Sequence, residues 1–453
     1  MPNLLAYLAL IAWPFLARII KQKMQLVDAA ILLFLLPYLL LPVKTAFDFP
    51  VLPAINKDSL ASIMAFLLLY RVSLDNAKIK FGRVYRLCLV GFLFGPVITI
   101  FLNSEPLEFA DNYLPGLKAW DFIGVFFIKT TSIVIPFCVG YLVLNTAYAH
   151  RRIVYWIAFC AVFYTLPMLW EIRMSPQLHA QIYGFFPHQF AQQVRAGGFR
   201  PVVFLGHGLL VAFFAYTACM CAFVLMKNKV IIWKIPARYV FIGLFVVVFL
   251  CKTMGVVLYL FLLLTLLLLF KPKNQFLMAT IFVFFVTCYP AIREASSPQL
   301  RSFTQLVSQY NEDRAQSFAF RLNNEDDLLA KASERKWFGW GSWGRNLIYD
   351  YSGQKLSVID GQWIIIFSSW GWVGYLSFFG LFFVPLYRWF LILKEADRHK
   401  VPIESADYSA VIGLILMSNM IDFIPNSSLS SVTLLMAGAL AGRAVLLKRD
   451  AKA

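Results

Sequence analysis

The chain is a succession of apolar runs separated by short polar connections. Most runs have roughly 17 to 25 residues, and a helix of about 20 apolar residues crosses the hydrocarbon core of a bilayer. Strands of a membrane barrel would alternate apolar and polar positions, and these runs do not. The pattern therefore predicts an all-α, polytopic membrane protein with about 12 to 13 transmembrane helices.

The predicted spans are residues 3–20, 26–43, 58–71, 87–103, 121–147, 153–170, 201–226, 238–252, 254–270, 275–292, 361–392, 407–423 and 428–447. The stretch 361–392 is long for one crossing, and Gly371, Gly374 and Gly380 could divide it into a slanted piece and a spanning piece. We expect one membrane domain, with N-terminal helices in 1–291, a large polar loop with short helices in 292–360, and C-terminal helices in 361–453.

Composition agrees with this class, because 60% of the residues are hydrophobic and only 14% are charged. A water-soluble domain could not bury that much apolar surface. In the predicted alternation one side carries 24 basic and 7 acidic residues, and the other carries 16 and 17. Basic residues favour the cytoplasmic side. The loop 292–360 is thus predicted outside, and the net charge of +17 indicates membrane topology and no nucleic-acid partner.

Cofactor chemistry has little support in the sequence. All seven cysteines fall inside apolar runs and the five histidines are scattered, so we expect neither a disulfide framework nor a metal site. No phosphate-binding glycine motif of a nucleotide enzyme is present. If the protein is an enzyme, it needs no cofactor and its substrate arrives already activated.

Cationic side chains mark two candidate sites on the predicted outer side. Arg195 and Arg200 flank a glycine pair before a span, and Lys252 lies in a tight turn between two spans. Arginine forks and glycine backbone suit a phosphate. Alternatively, the arginines reach lipid headgroups and Lys252 anchors a helix end.

The third candidate is the polar loop. Residues 321–334 have the pattern of an amphipathic helix, with Asn323 or Asn324 as a possible cap. Its apolar face would consist of Leu322, Leu328, Leu329 and Ala332. Three tryptophans then alternate with glycines: Trp337, Trp340 and Trp343 with Gly339, Gly341 and Gly344. An interfacial aromatic belt explains some tryptophans, whereas aromatic faces on flexible backbone also suit a sugar-binding cleft.

These segments together resemble the bacterial O-antigen ligase and polymerase superfamily over roughly residues 190–380. The resemblance rests on Arg195-x-x-Gly198-Phe-x-Pro201, the Lys-Thr-Met-Gly turn at Lys252, Phe320-Arg321, Trp337-Phe-Gly-Trp-Gly341, Asp360-Gly and Gly371-Trp-Val-Gly374. The Phe-Gly-Trp-Gly run, together with the later Gly-x-x-Gly, is the most specific of these.

The resemblance implies a metal-independent glycosyltransferase of the bacterial inner membrane, with its site facing the periplasm. Its donor would be an oligosaccharide on undecaprenyl diphosphate, and its acceptor a glycolipid or lipid-linked sugar. Arg195, Arg200, Lys252 and Arg321 would bind the donor diphosphate, and Arg321 would also count with Asp360 as catalytic. Fixed cations stabilise the charge that grows on a departing diphosphate.

Asp360 stands where ligases acting on the lipid A core typically have a histidine. Its carboxylate could accept a proton from an attacking hydroxyl in an inverting transfer, or it could cap the helix that follows. The missing histidine favours a polymerase over a ligase. A flippase or transporter of lipid-linked oligosaccharide and a structural scaffold for export remain alternatives of other classes.

Overall fold

The computed structural model describes residues 1–49, 53–75, 81–195, 197–296 and 312–450, most of which are helical. The helices are α1 (Leu4–Lys23), α2 (Leu26–Leu40), α3 (Lys57–Asp75), α4 (Arg83–Leu102), α5 (Asp121–Lys129), a π-helical turn (Thr130–Val134), α6 (Ile135–Val143), α7 (Ala147–Met174), α8 (Leu178–Tyr183), a 3-10 turn (Phe190–Gln193), α9 (Gly208–Lys227), α10 (Ala237–Leu250), α11 (Met254–Leu269), α12 (Pro272–Thr287), α13 (Tyr289–Ser296), α14 (Glu312–Glu334), α15 (Gln362–Arg398), α16 (Ala406–Asp422) and α17 (Ser431–Asp450).

Strands occur in four two-stranded antiparallel hairpins at helix connections. Their bounds are β1 (Ala46–Phe47) with β2 (Ile55–Asn56), β3 (Leu107–Glu108) with β4 (Tyr113–Leu114), β5 (Val194–Arg195) with β6 (Gly198–Phe199), and β7 (Ile231–Ile232) with β8 (Ile235–Pro236). Hairpins this short shape the connections and add no sheet layer.

Each predicted span coincides with a helix, but the helices differ in their fitness to cross a bilayer. Seven within the described ranges are long and apolar enough, namely α1, α4, the α5–α6 unit, α7, α9, α15 and α17. The pair α12 and α13 qualifies as an eighth if its 61° bend lies within one span. The chain is thus a helical protein suited to crossing a membrane several times, and thirteen crossings stay a prediction.

Contacts between connections agree with the predicted alternation. At one end of the bundle the Asn3 amide donates to Tyr183 O (3.0 Å), and the Tyr183 hydroxyl donates to Leu40 O (2.7 Å). At the other end Tyr148 donates to Gln25 (2.9 Å), and Arg151 pairs with Glu404 (3.2 Å). Each of these four contacts joins connections that the sequence assigned to the same side.

The centre of the bundle is α9, whose spanning window is 83% buried, compared with 22% for the peripheral α1. Close backbone contact also joins α6 to α17. A Cβ on Gly438 or Gly442 would overlap carbonyl groups of α6, so the Gly-x-x-x-Gly pair lets the two helices approach to backbone distance.

Prolines inside helices leave carbonyl oxygens without their usual donors, and polar side chains occupy two of these acceptors. Pro96 has no N–H for Phe92 O, and that oxygen accepts from Lys129 Nζ at 3.0 Å. In the π-helical turn each N–H bonds to the carbonyl five residues earlier. Pro136 has no N–H, so Thr131 O accepts a hydrogen bond from the Ser62 hydroxyl instead. Buried helix breaks are therefore compensated within the protein, as a membrane interior requires.

Two local sequence predictions need correction. The amphipathic helix begins at Glu312, so Asn324 lies inside α14 and accepts instead from the Val358 amide at 3.0 Å. Of the three glycines proposed to break 361–392, only Gly371 does so, with φ 59° and ψ −165°. The predicted apolar face of α14 is confirmed, because Leu322, Leu328, Leu329 and Ala332 are all buried.

Candidate functional site

Two predicted cations meet where the β5–β6 hairpin touches the turn between α10 and α11. Lys252 has a left-handed backbone (φ 51°), which lets the chain reverse within three residues. Its Nζ donates to Arg195 O at 3.2 Å and lies over Gly198, where a Cβ would have to displace it. The hairpin glycine thus makes room for the lysine.

Arg200 belongs to the same cluster, and its side chain is buried (6% exposed). Its Nη2 donates to Thr253 Oγ1 at 3.0 Å, and its amide donates to Gln193 O at 2.8 Å. Nε is buried without a partner, and no described carboxylate pairs with Arg200 or with the exposed Arg195. Burial, and secondarily Arg195, lower the Arg200 pKa. A site of uncompensated positive charge favours a bound anion.

Glu171, at the end of α7, holds the loop that carries this cluster, a role that sequence reasoning missed. Its buried carboxylate accepts from the amides of Leu178 (2.9 Å), Val202 (2.6 Å) and Val203 (2.8 Å). A lone acidic residue in an apolar run gave no sign of these partners. The three hydrogen bonds fix residues 201–203 on the path from Arg200 to α9.

Two histidines also belong to the cluster, and neither was assigned a role from the sequence. His207 is the residue before α9, and its Nδ1 accepts from the Leu209 amide at 3.0 Å. The ring of His188 packs edge-on against it, with centroids 4.6 Å apart. His188 also lines an open cleft of about 400 Å³ whose rim includes Lys44. Histidine is not a favoured helix cap, so no capping rule pointed to His207.

A second assembly forms around the break in α15. Residues 336–341, which we call the clasp, run beside Gly371. Four backbone hydrogen bonds join clasp and helix: Trp340 N to Ser368 O (2.9 Å), Gly341 N to Ser369 O (2.9 Å), Trp372 N to Lys336 O (2.7 Å) and Val373 N to Trp337 O (3.1 Å). The clasp therefore satisfies backbone groups that the broken helix exposes.

Backbone contact accounts for the clasp glycines. Gly339 has φ 72°, and a Cβ there would overlap the backbone of Ser369 and Trp370. Gly341 has φ 82°, and its Cβ would lie 2.5 Å from the Leu117 side chain. Their density thus has a structural cause that does not require a sugar, and the predicted break in regular structure is confirmed.

The three tryptophans occupy different environments. Trp340 is buried (8% exposed), donates its indole N–H to Lys331 O at 2.7 Å, and lies under Arg335, whose guanidinium carbon is 4.4 Å from the ring centroid. Trp337 and Trp343 are 60% and 52% exposed. The buried ring therefore supports the clasp, and only the two exposed rings are open to a ligand.

Asp360 is exposed and forms no described hydrogen bond, and it does not cap α15. The helix begins at Gln362 with Gly361 in the cap position. The first helical residue is held instead by Asn426 O, which accepts the Gln362 amide at 2.9 Å. The capping explanation for Asp360 is wrong, and an acceptor-binding role stays a prediction.

Arg321 lies on α14, but its side chain is outside the part of the chain that the structure describes. One turn later the same helix carries an ion cluster that the sequence did not signal. Buried Arg293 of α13 contacts Glu325 (3.3 Å) and Asp326 (2.9 Å). Burial raises the Glu325 pKa, while Arg293 opposes that shift. This cluster fixes α14 over the bent α12–α13 pair.

A chain of contacts connects the cationic cluster to Asp360. Thr253, the partner of Arg200, precedes α11, and Tyr259 of α11 donates to Asp422 at 3.4 Å. Asn426 donates to Asp422 (2.9 Å), and its carbonyl accepts the Gln362 amide. These hydrogen bonds, together with the first turns of α11 between Thr253 and Tyr259, link the connection that carries Arg200 to the one that carries Asp360.

Comparison with known proteins leaves the family open. No protein-family model matches the chain, and no curated protein matches it significantly. The described ranges also contain no group of three His, Cys, Asp or Glu side chains able to hold a metal ion. The resemblance and metal independence therefore stay predictions that rest on the motifs.

Proposed function

We propose that this protein is a membrane glycosyltransferase that polymerises or transfers oligosaccharides carried on undecaprenyl diphosphate. The reaction would take place at the periplasmic face of a bacterial inner membrane, in the synthesis of O-antigen, exopolysaccharide or another surface polysaccharide. The observation that carries the proposal is the convergence of Arg195, Arg200 and Lys252 at one end of the bundle.

This cluster suits a diphosphate for electrostatic reasons. Arg200 is largely desolvated, so its attraction to an anion is screened less than that of a surface arginine. Arg195 is exposed and Lys252 is half-buried, so the cations are graded from the surface inward. A donor diphosphate gains negative charge as its bond to the sugar breaks, and prepositioned cations stabilise that change most.

The rest of the reaction involves the connection around Asp360. The acceptor hydroxyl would attack the anomeric carbon, lose its proton to Asp360 and invert the configuration there, while the diphosphate departs toward the cations. Of the three tryptophans, the exposed Trp337 and Trp343 would contact the sugar rings. Asp360 in place of a histidine favours polymerisation, and ligation to the lipid A core is the alternative reaction.

The direct test uses purified protein, an undecaprenyl-diphosphate-linked oligosaccharide and gel analysis of chain length. We expect wild type to lengthen the chains, and Arg195→Ala or Arg200→Gln to lower the rate about 100-fold, as loss of one charge-stabilising donor typically does. Arg238→Ala is the matched control, because Arg238 is exposed at the opposite end. Full activity in both cluster variants would refute the assignment of the cations.

A flippase for lipid-linked oligosaccharide is the second candidate, and two observations favour it. The broken helix at Gly371 and the buried Lys129 resemble features of transporter cores. In vesicles, a flippase would move the substrate between leaflets without changing its length. A transferase would change the length, so the same substrate distinguishes the two classes.

A further inference from the structure

His207 lies beside the cations, with its hydrogen-bonding roles fixed by α9. Nδ1 accepts from the Leu209 amide at 3.0 Å, so a neutral ring carries its proton on Nε2. Nε2 has no hydrogen-bond partner among the described residues, and the side chain is half-buried. The ring therefore presents a single, oriented N–H donor.

The groups that face His207 disfavour a charged ring. Burial is the main cause that lowers the pKa of His207 to about 4, and His188, Arg200 and Arg195 contribute in that order. No carboxylate is among these groups. A ring with this pKa is neutral near pH 7, and the positively charged arginines lie close enough to disfavour its protonation.

Unpartnered polar atoms surround the same point. Gly208 follows His207, and a Cβ on it would lie 2.7 Å from Gln193 Oε1 and 3.3 Å from Arg200 Nε. Arg200 Nε and Gln193 Nε2 are buried without a described partner, and so is Nδ1 of His188. Gln193 is completely buried and Arg200 is 6% exposed, so the protein holds these donors in fixed positions away from bulk solvent. A bound anion would satisfy donors that are otherwise left without partners.

We propose that His207 is a further substrate-binding residue of this site, where it donates from Nε2 as a neutral imidazole to a phosphate oxygen of a diphosphate diester. The proposal rests on the proposed function for the identity of the ligand. A neutral donor adds a hydrogen bond without adding charge repulsion between the arginines.

The probe is dimethyl diphosphate, because its two acidic groups remain ionised above about pH 3 and do not titrate with the protein. Its affinity for the purified full chain in detergent can be measured by calorimetry. His207→Asn keeps a side-chain acceptor for the α9 amide but removes the Nε2 donor. His399→Asn is the control, since His399 is exposed beyond the end of α15.

We expect His207→Asn to weaken binding about tenfold, the usual effect of losing one hydrogen bond to a charged group, and His399→Asn to leave it unchanged. In His188→Gln, which removes the other imidazole that faces the site, affinity should vary less than about twofold between pH 5.5 and 7.5, because His207 stays neutral there. This pH profile tests the idea with His207 in place, even if His207→Asn fails to fold.

Two results would overturn the proposal: equal affinity in wild type and His207→Asn, or an affinity of His188→Gln that rises several-fold as pH falls to 5.5. The second would mean that His207 acts as a cation. Failure of the proposed function looks different, because the protein would then bind the diphosphate normally and yet lengthen no sugar chains. A wild-type protein that binds no diphosphate refutes both.

Discussion

Substituting Gly371 by alanine tests whether the clasp holds the broken helix together. Gly371 combines φ 59° with ψ −165°, a backbone region that is essentially restricted to glycine. A Cβ at this position would overlap the backbone of Trp337 and Phe338. The three overlapped atoms all belong to the main chain, so no side-chain rotation relieves the overlap, and the clasp has to move away.

The energetic effect has two parts. The backbone conformation alone costs an alanine about 1 to 3 kcal/mol. Displacing the clasp also breaks its four backbone hydrogen bonds to α15, each with a net value of about 0.5 to 1.5 kcal/mol. We therefore expect Gly371→Ala to destabilise this region by about 3 kcal/mol or more.

The assay is thermal unfolding in detergent, followed by tryptophan fluorescence, together with limited proteolysis of residues 335–361. The variant should melt at a lower temperature and be cut earlier in this segment. Gly243→Ala is the control, because Gly243 is also in an apolar helix and a Cβ there meets no atom within 4 Å. Identical melting and cleavage of the Gly371 variant and wild type would refute the role of the clasp.

Three further results are expected. Lys129→Met should lower the melting temperature, because it removes the donor to Phe92 O, the carbonyl that Pro96 leaves without an N–H. Adding Pro96→Ala should restore part of the loss, and an unchanged melting temperature in Lys129→Met would contradict the pairing. Gly208→Ala should weaken binding of dimethyl diphosphate about tenfold, since its Cβ would lie 2.7 Å from a buried amide oxygen, while Gly255→Ala, with open space around it, should not. Stability should fall between about pH 6.5 and 4, because unfolded His207 takes up a proton that the folded protein excludes; His207→Asn should flatten this slope.

The positions of the helices were largely predictable from the sequence, because apolar runs of spanning length leave few alternatives. The motifs predicted that Arg195, Arg200 and Lys252 share a role in binding the diphosphate, but they did not predict how the three residues come together. Nothing in the residues themselves indicated that the β5–β6 hairpin would lie over the α10–α11 turn. Such pairing depends on the tertiary arrangement of connections that are far apart in the chain.

Other parts of the site were not predictable for specific physical reasons. Glu171 stabilises a loop through backbone amides, which carry no side-chain signature. The glycines of the clasp suggested a flexible sugar cleft, whereas they permit contact with a helix break about 30 residues later. A break at Gly371 was one of three options, since glycine frequently occurs inside membrane helices without breaking them.

Lys129 imposes an order on the biogenesis of the protein. A lysine in the centre of a transmembrane helix opposes insertion by about 2.5 to 3.5 kcal/mol. Its acceptor, Phe92 O, and one aromatic ring, 3.8 Å from Nζ, belong to α4, which the ribosome completes just before α5. The second ring, Trp370 at 4.0 Å, is synthesised much later. The α4–α5 hairpin should therefore enter the bilayer as a unit. The contact between Lys129 and Trp370 forms only after α15 has been synthesised.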